Sequence, residues 1–125
     1  MLKVGEVIGI LNNRVNDETK KINLVILDTD TLCEYEVKLT TIHFDTDRDT
    51  VIISNKDNRE TYTVKRFIFD LYSHYSNDNI SAEIYDNNTK ESISYVSLSR
   101  FADITIEEFD DHIDIVIHKV EQEVN

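Results

Sequence analysis

The sequence is poor in the residues that shape tight backbone: it contains no proline and two glycines, Gly5 and Gly9. Loops that cradle the phosphates of nucleotides need several closely spaced glycines, so a loop of that kind is excluded. The turns must instead be formed by asparagine and aspartate, which tolerate left-handed backbone and bond to their own chain. Clusters of these two residue types therefore mark where strands and helices end.

Cysteine is equally scarce, because Cys33 is the only one. A lone cysteine excludes an intrachain disulfide and a zinc site built from several cysteines, and it suits a reducing compartment. We expect Cys33 to be a small buried apolar side chain. The four histidines lack the i, i+4 spacing of a helical zinc site, and the cues for a Ser–His–Asp arrangement are missing. We therefore assign no catalytic residue, no metal ligand and no cofactor.

Long apolar runs are missing as well. The sequence contains no stretch of eighteen apolar residues, which a membrane-spanning helix would require. Residues 1–6 lack the charged region and the apolar block of a signal peptide, so we expect a cytoplasmic protein that does not bind membranes. The length of 125 residues predicts a single domain spanning residues 1–125.

What the sequence has in excess is negative charge, with a formal net charge of −12. Residues 1–66 carry ten basic and twelve acidic residues, whereas residues 67–125 carry three basic and thirteen acidic residues. Such a field repels nucleic acids and anionic membranes and attracts basic partners. The same charge would also keep the protein soluble without serving any other purpose.

The periodicity of the apolar residues in the first half predicts mainly strands. Residues 4–12 contain a helical stripe, but their β-branched residues and two glycines favour a strand. Residues 21–28 and 32–40 predict a β-hairpin. Residues 50–55 predict a further strand, which extends back through residues 42–44 across an Asp-rich bend.

The clearest helix is predicted over residues 64–76, with Thr63 as its N-cap. Residues 80–85 and 92–98 predict a second hairpin after it. The fold class is therefore α+β: a mostly antiparallel sheet, or two sheets, with one principal amphipathic helix between two β-rich halves. The apolar stripe of the helix is expected to face the core, and it consists of Val64, Phe67, Ile68, Leu71, Tyr72 and Tyr75.

The last predicted hairpin, residues 103–108 and 112–119, carries the most distinctive charge of the chain. Its isoleucines alternate as in strands with one buried face, and Asp110 and Asp111 form the predicted tight turn. A short helix is the alternative for the first strand, because Thr105 and Glu108 match a capping box. Packing of the isoleucines would hold the carboxylates between them rigidly. The predicted partner-binding residues are therefore Asp103, Glu107, Glu108, Asp110, Asp111 and Asp114.

One short motif resembles a calcium loop. Asp45, Asp47 and Asp49 place carboxylates at alternate positions, as such a loop does. Thr50 and Lys56 then stand where the loop needs glycine and glutamate, and a lysine there repels the ion. An Asp-rich turn is the better interpretation.

A second motif matches the metal-dependent nucleases. Glu36 and Lys38 on a strand, with Asp28 or Asp30 upstream, supply the carboxylates and the lysine that such enzymes use. The pattern is short enough to recur by chance, and the negative field of the protein opposes phosphate binding. A metal-dependent nuclease is therefore a remote alternative.

In its composition and in the cluster Asp103–Asp114, the chain resembles small acidic inhibitors encoded by phages, such as anti-CRISPR proteins and DNA-mimicking anti-restriction proteins. No aligned motif carries this resemblance, so no functional residue is transferred from it. It implies a non-catalytic protein in the cytoplasm of the host cell that occupies the nucleic-acid-binding surface of an effector nuclease. The expected partner is a basic nucleic-acid-binding protein or a nucleoprotein complex, and direct binding of nucleic acid is not expected.

The main alternative is an accessory or structural domain that oligomerises, for example as a homodimer, and has no inhibitory role. In that case the negative charge would confer only solubility. Binding to a basic partner should weaken as salt is raised, whereas self-association should follow exposed strand edges and aromatic side chains.

Overall fold

The computed structural model describes residues 2–28, 32–57, 62–98 and 102–119. The predicted turn at residues 29–31 lies outside them. The described chain forms two helices and eight strands: α1 (Val4–Arg14), β1 (Lys21–Asp28), β2 (Cys33–Lys38), β3 (Thr41–Asp45), β4 (Thr50–Ser54), α2 (Val64–Leu71), β5 (Asn79–Tyr85), β6 (Ser92–Ser97), β7 (Ala102–Glu108) and β8 (His112–Lys119). The α+β class is confirmed, but two helices are present where the sequence predicts one.

The N-terminal segment is helix α1, so the strand predicted for residues 4–12 is wrong. The helical stripe in this segment decides the outcome, because all four of its members are buried in the core: Val4, Val7, Ile8 and Leu11. Burial of a complete helical face outweighs the β-propensity of its branched residues, since propensity is a weak term that tertiary packing overrides.

Helix α2 begins where predicted and ends earlier. Thr63 is the N-cap, and its side-chain oxygen accepts a hydrogen bond from the backbone N–H of Arg66 at 3.2 Å. The helix stops at Leu71 and does not continue to residue 76, because tight turns follow it. Tyr72 and Tyr75 are therefore 64% and 82% exposed, and their predicted place in the core is wrong.

The strands form two four-stranded sheets, which we call sheet 1, with the order β2-β1-β8-β7, and sheet 2, with the order β3-β4-β5-β6. The three predicted hairpins, β1–β2, β5–β6 and β7–β8, are confirmed, which excludes the short helix considered for residues 103–108. The Asp-rich bend joins β3 to β4 in a fourth hairpin. In each sheet a central parallel pair, β1 with β8 or β4 with β5, joins two hairpins. The two halves of the chain are thus interleaved in both sheets.

One hydrophobic core receives side chains from both sheets and both helices. The alternate residues that sheet 1 contributes include Ile22, Leu24 and Ile26 of β1. We call the core side of each sheet its inner face and the opposite side its outer face. Cys33 is exposed, so its predicted burial is wrong. Among the described residues, neither helix has the length and apolar character needed to span a membrane.

Candidate functional site

The acidic hairpin β7–β8 lies at one edge of sheet 1, because β7 is an edge strand. Successive side chains of a strand alternate between the two faces of the sheet. Ile104 and Ile106 face the core, which leaves Glu107 and its cross-strand partner Asp114 on the outer face. The predicted carboxylates therefore do not form one continuous patch, and they divide into groups with different surroundings.

Glu108 has a structural role. Its carboxylate accepts hydrogen bonds from the backbone N–H of Asn16 at 2.8 Å and from Lys20 Nζ at 3.0 Å. Lys20 also donates to the backbone carbonyl of Phe109 at 2.7 Å. The bond from Asn16, followed by that from Lys20, lowers the pKa of Glu108. These bonds tie the hairpin to the segment after α1, so the carboxylate of Glu108 is already engaged within the protein.

Asp111 and Asp114 flank the imidazole of His112. Asp111 Oδ1 lies 2.6 Å from His112 Nδ1, and Asp114 Oδ1 lies 3.3 Å from His112 Nε2. The ring of Phe109 stacks on the imidazole, with 4.8 Å between the ring centroids. Asp114 itself is 8% exposed, so it cannot offer its charge directly to a partner.

These contacts shift the pKa values of His112 and Asp111 in opposite directions. The hydrogen bond to Asp111 raises the pKa of His112, and the charges of Asp114, Asp111 and Glu36 add to this effect. The same hydrogen bond lowers the pKa of Asp111. Glu36 belongs to edge strand β2 and Asp114 to β8, so carboxylates from two strands of sheet 1 act on one imidazole.

Asp103, the first predicted carboxylate, is described only in its backbone. It pairs with His118 at the start of β7. Its side chain lies outside the described part of the structure.

The exposed carboxylates of sheet 1 come from two places. Glu107, Asp110 and Asp111 are exposed near the β7–β8 turn, and Glu34 and Glu36 are exposed on edge strand β2. The parity of the β1–β2 and β1–β8 pairs puts the two β2 glutamates on the same outer face as Glu107. We call these five residues the acidic surface: Glu34, Glu36, Glu107, Asp110 and Asp111.

The acidic surface also has basic neighbours. Lys21 and Lys38 are exposed on the same outer face, the first paired with His112 and the second with Asn23. The alternation of residues 32–40 is enough to predict that Glu34, Glu36 and Lys38 share one face of a strand. The local pattern does not predict that this face joins the last hairpin, because the parallel β1–β8 pair joins segments from opposite ends of the chain.

Among the described residues, neither metal-site pattern brings its side chains together. Asp45 caps the β3–β4 turn by accepting a hydrogen bond from the N–H of Asp47 at 3.0 Å, which is the role of an Asp-rich turn. Asp28 shares the parity of the inner-face residues of β1, whereas Glu36 and Lys38 lie on the outer face, so Asp28 cannot join them. Asp30 is outside the described residues. Within the described ranges, no group of three His, Cys, Asp or Glu side chains has an arrangement that could hold a metal ion.

A second polar cluster, on the outer face of sheet 2, is not predicted from the sequence. Glu83 is 5% exposed and accepts hydrogen bonds from the hydroxyls of Tyr85 and Ser92. Arg48 approaches the same carboxylate at 3.9 Å and lies over the ring of Tyr95 at 4.3 Å. Burial, followed by the bond to Glu83, raises the pKa of Tyr85 to about 12.

The signal for this cluster is present in the sequence of β5, where polar and apolar residues alternate through Ser81, Glu83 and Tyr85. The alternation predicts an exposed polar face, which is why the cluster is missed. In the structure the tyrosine and arginine side chains cover the carboxylate.

Comparison with known proteins finds no match for this chain among protein-family models, curated proteins or solved structures.

Proposed function

We propose that the protein is a non-catalytic binding protein that occupies the nucleic-acid-binding surface of a basic partner, as an inhibitor of the anti-CRISPR or anti-restriction type would. The acidic surface is the proposed contact region. The observation that carries the proposal is that exposed carboxylates from both edge strands of sheet 1 share one outer face. Asp103 belongs to the same hairpin. Glu108 bonds the hairpin to Asn16 and Lys20, and Asp114 contacts the imidazole of His112.

The first supporting argument is prearrangement. The strands that carry Glu36 and Glu107 also carry Val37 and Ile106, which pack against the core. The backbone beneath the charges is therefore fixed before a partner arrives. Prearranged charges avoid the ordering cost that a disordered acidic tail would incur on binding.

The second argument is spacing. Strands β2 and β7 are separated by β1 and β8, so the strand of Glu34 and Glu36 lies roughly 14 Å from the strand of Glu107 across the sheet. Positions two residues apart along one strand, such as Glu34 and Glu36, are about 7 Å apart. Negative charges held at fixed separations are what a lysine- and arginine-lined groove for a nucleic acid would accept.

A matched pair of charge reversals tests the proposal. The variant Glu107→Lys/Asp110→Lys reverses two exposed carboxylates of the acidic surface, and Asp47→Lys/Glu91→Lys reverses two exposed carboxylates in the turns of sheet 2. Each immobilised protein is exposed to a cell lysate and washed in graded salt. The captured basic protein is then assayed for nucleic-acid binding with each variant added.

We expect the wild type and Asp47→Lys/Glu91→Lys to suppress nucleic-acid binding by the captured protein, and Glu107→Lys/Asp110→Lys to fail. The captured protein should elute as salt rises, because contacts between exposed charges are screened. Equal inhibition by both double variants would refute the proposal. Glu108 is left unchanged in this design, since its reversal would break the bonds to Asn16 and Lys20.

A second candidate function is self-association through an aromatic patch. Phe69, Tyr72 and Tyr75 are exposed along the end of α2 and the turn after it, each by more than half of its surface. Exposed aromatic side chains at one place favour a protein interface. Sedimentation at low and high salt separates the candidates: a dimer that persists at high salt and dissociates in Tyr72→Ser/Tyr75→Ser supports the patch, and a monomer at all protein concentrations excludes it.

A further inference from the structure

A cleft of about 460 Å³ lies where edge strand β2 meets the segment after β4 and the turn between β5 and β6. Its walls are held by defined bonds. The side chain of Asn55 donates to the backbone carbonyl of Tyr85 and accepts from the N–H of Tyr85, both at 2.8 Å. The N–H of Asp57 donates to Thr41 Oγ1 at 3.0 Å. The cleft is large enough for a small ligand and does not include the outer-face hairpin β7–β8.

The cleft collects positive charge in a strongly acidic protein. It is lined by Lys38, Lys56 and Lys90, together with the carboxylates of Glu36 and Asp57. None of the three ammonium groups lies within 4 Å of a carboxylate of the described residues. Lys56 has a ring contact, 5.8 Å from the centroid of Tyr85. Elsewhere Lys20 pairs directly with Glu108 at 3.0 Å, whereas Lys21 and Lys65 also lack an ion pair among the described residues. The distinguishing property of the cleft is that three such lysines line one cavity.

A buried hydroxyl without a partner is the second observation. Thr40 lines the cleft, is 5% exposed, and has no hydrogen-bond partner for its Oγ1 among the described residues. Buried polar groups are nearly always satisfied, and exceptions call for an explanation such as a ligand. The oxygen itself has almost no accessible surface, so a rotation of the Thr40 side chain is what would bring this hydroxyl to an anion in the cleft.

The free edge of β2 supplies further donors. Leu39 N–H donates to the carbonyl of Ile22 at 3.1 Å. Because antiparallel pairs alternate between bonded and non-bonded positions, the N–H groups of Glu36 and Lys38 then point away from β1, toward the side of the cleft. Edge N–H groups of this kind are available to a ligand.

We infer that this cleft binds a small phosphate-bearing ligand. Phosphate concentrates charge and offers three strong acceptor oxygens, which suits several lysine ammonium groups, a hydroxyl and backbone N–H donors together. Glu36 and Asp57 are acceptors, and they suit the hydroxyl or amino groups of a nucleotide or a sugar phosphate. The cleft shares Glu36 with the acidic surface, but its three lysines and Thr40 lie outside that surface.

Inorganic pyrophosphate is the first probe, added at constant ionic strength while the backbone amide signals of the protein are followed by NMR. We expect saturable shifts at Lys38, Lys56 and Lys90. The variant Lys56→Gln/Lys90→Gln should weaken binding by about tenfold or more, since hydrogen bonds to charged groups are strong. Lys65→Gln, which removes an exposed lysine of α2 outside the cleft, should leave the affinity unchanged.

Thr40→Val provides a second test that does not change the charge. Because the hydroxyl of Thr40 has no partner among the described residues, its removal should leave thermal stability unchanged or higher. The same variant should weaken pyrophosphate binding several-fold, and Thr40→Ser should retain it.

Two arms identify the ligand class. Binding of ADP at the same residues would point to a nucleotide, and binding of pyrophosphate without ADP would point to a free phosphate compound; both support the inference. Citrate binding as tightly as pyrophosphate would overturn the assignment to phosphate. Shifts that do not saturate, or an equal loss of affinity in Lys65→Gln, would overturn the site itself.

Discussion

At the scale of single residues, neighbouring carboxylates of this protein serve different purposes. Glu107 is exposed on the outer face of sheet 1, whereas Glu108, the next residue, is bonded to Asn16 and Lys20. Strand alternation separates them, because successive side chains leave a strand on opposite sides. A count of acidic residues along the chain therefore overestimates the charge that a partner can reach.

The imidazole of His112 should titrate at a higher pH than an ordinary histidine. A histidine whose folded pKa is raised stabilises the fold most below its unfolded pKa, about 6.5, and loses that contribution as pH rises through the folded value. Asp111→Asn should lower the pKa of His112 toward the ordinary value, because the hydrogen bond that the ring donates to Asp111 is the largest cause of the shift. NMR titration of the imidazole proton signals measures the pKa of His112 in the wild type and in Asp111→Asn.

The neighbouring variant Asp110→Asn serves as the control for this measurement. It removes an exposed carboxylate from the same turn but not the bond to the ring. The assignment would be wrong if both variants shifted the midpoint of His112 equally, or if Asp111→Asn left it unchanged.

The buried cluster of sheet 2 makes a second prediction at this scale. Glu83→Gln should lower the pKa of Tyr85 below its value of about 12, since the carboxylate accepts the phenolic hydrogen bond. The pKa should remain above about 10, the usual tyrosine value, because burial is the largest cause of the shift. Ultraviolet titration of the tyrosines follows the change, and Glu91→Gln, in the turn before β6, is the control that should not alter it.

At the scale of elements, helix α1 shows how local pattern and packing compete. Its four buried residues follow the helical period, while its two glycines and branched side chains favour other structures. The hairpins are predictable because alternation and turn residues lie close together in the sequence. The end of α2 is not predictable from the sequence. Tyr72 and Tyr75 continue the helical stripe in the sequence, although the helix ends at Leu71 and both side chains are exposed.

The two glycines of α1 provide a matched pair of substitutions. A Cβ atom at Gly9 would meet nothing within 4 Å, whereas one at Gly5 would lie 3.1 Å from Ser76 Cβ and 3.3 Å from the carbonyl oxygen of Ser76. Gly9→Ala should therefore raise the free energy of unfolding by about 0.5–1 kcal/mol, the usual difference between alanine and glycine in a helix. Gly5→Ala should lower it, because the turn at Ser76 must move.

Urea unfolding of the two variants measures both effects against the wild type. The Gly5 backbone N–H donates to the Ser76 carbonyl at 3.0 Å, so the crowded contact is also a bonded one. Equal stabilisation by the two substitutions would contradict the close packing of Gly5 against the turn at Ser76.

At the scale of the whole molecule, strand order is the feature that the sequence does not predict. The central pairs of both sheets are parallel and join segments that are distant along the chain, such as β1 and β8. Nothing in the local pattern of Lys21–Asp28 specifies a partner at His112–Lys119. The six carboxylates predicted from the sequence all belong to the last hairpin. The acidic surface depends on the β1–β8 pairing, because that pairing puts Glu34 and Glu36 on the same outer face as Glu107.

The parallel β1–β8 pair also makes a prediction about folding. A chain ending at Leu98 lacks β7 and β8, so β1 loses a neighbour and the core loses Ile113, Ile115 and Ile117. Removing one buried isoleucine side chain typically costs about 2–5 kcal/mol, and a domain has only about 5–15 kcal/mol of stability. The loss of all three therefore exceeds what the remaining chain can sustain.

We expect the fragment 1–98 to be unfolded or aggregated by circular dichroism and amide NMR, although it retains both helices and all of sheet 2 in its sequence. The matched control is a chain ending at Lys119, which keeps every described strand and should fold cooperatively. Addition of a peptide spanning residues 99–119 to the fragment should restore native signals, because the missing hairpin supplies both the partner of β1 and the inner-face isoleucines. A cooperative unfolding transition in the fragment alone would mean that sheet 1 does not hold the two ends of the chain together.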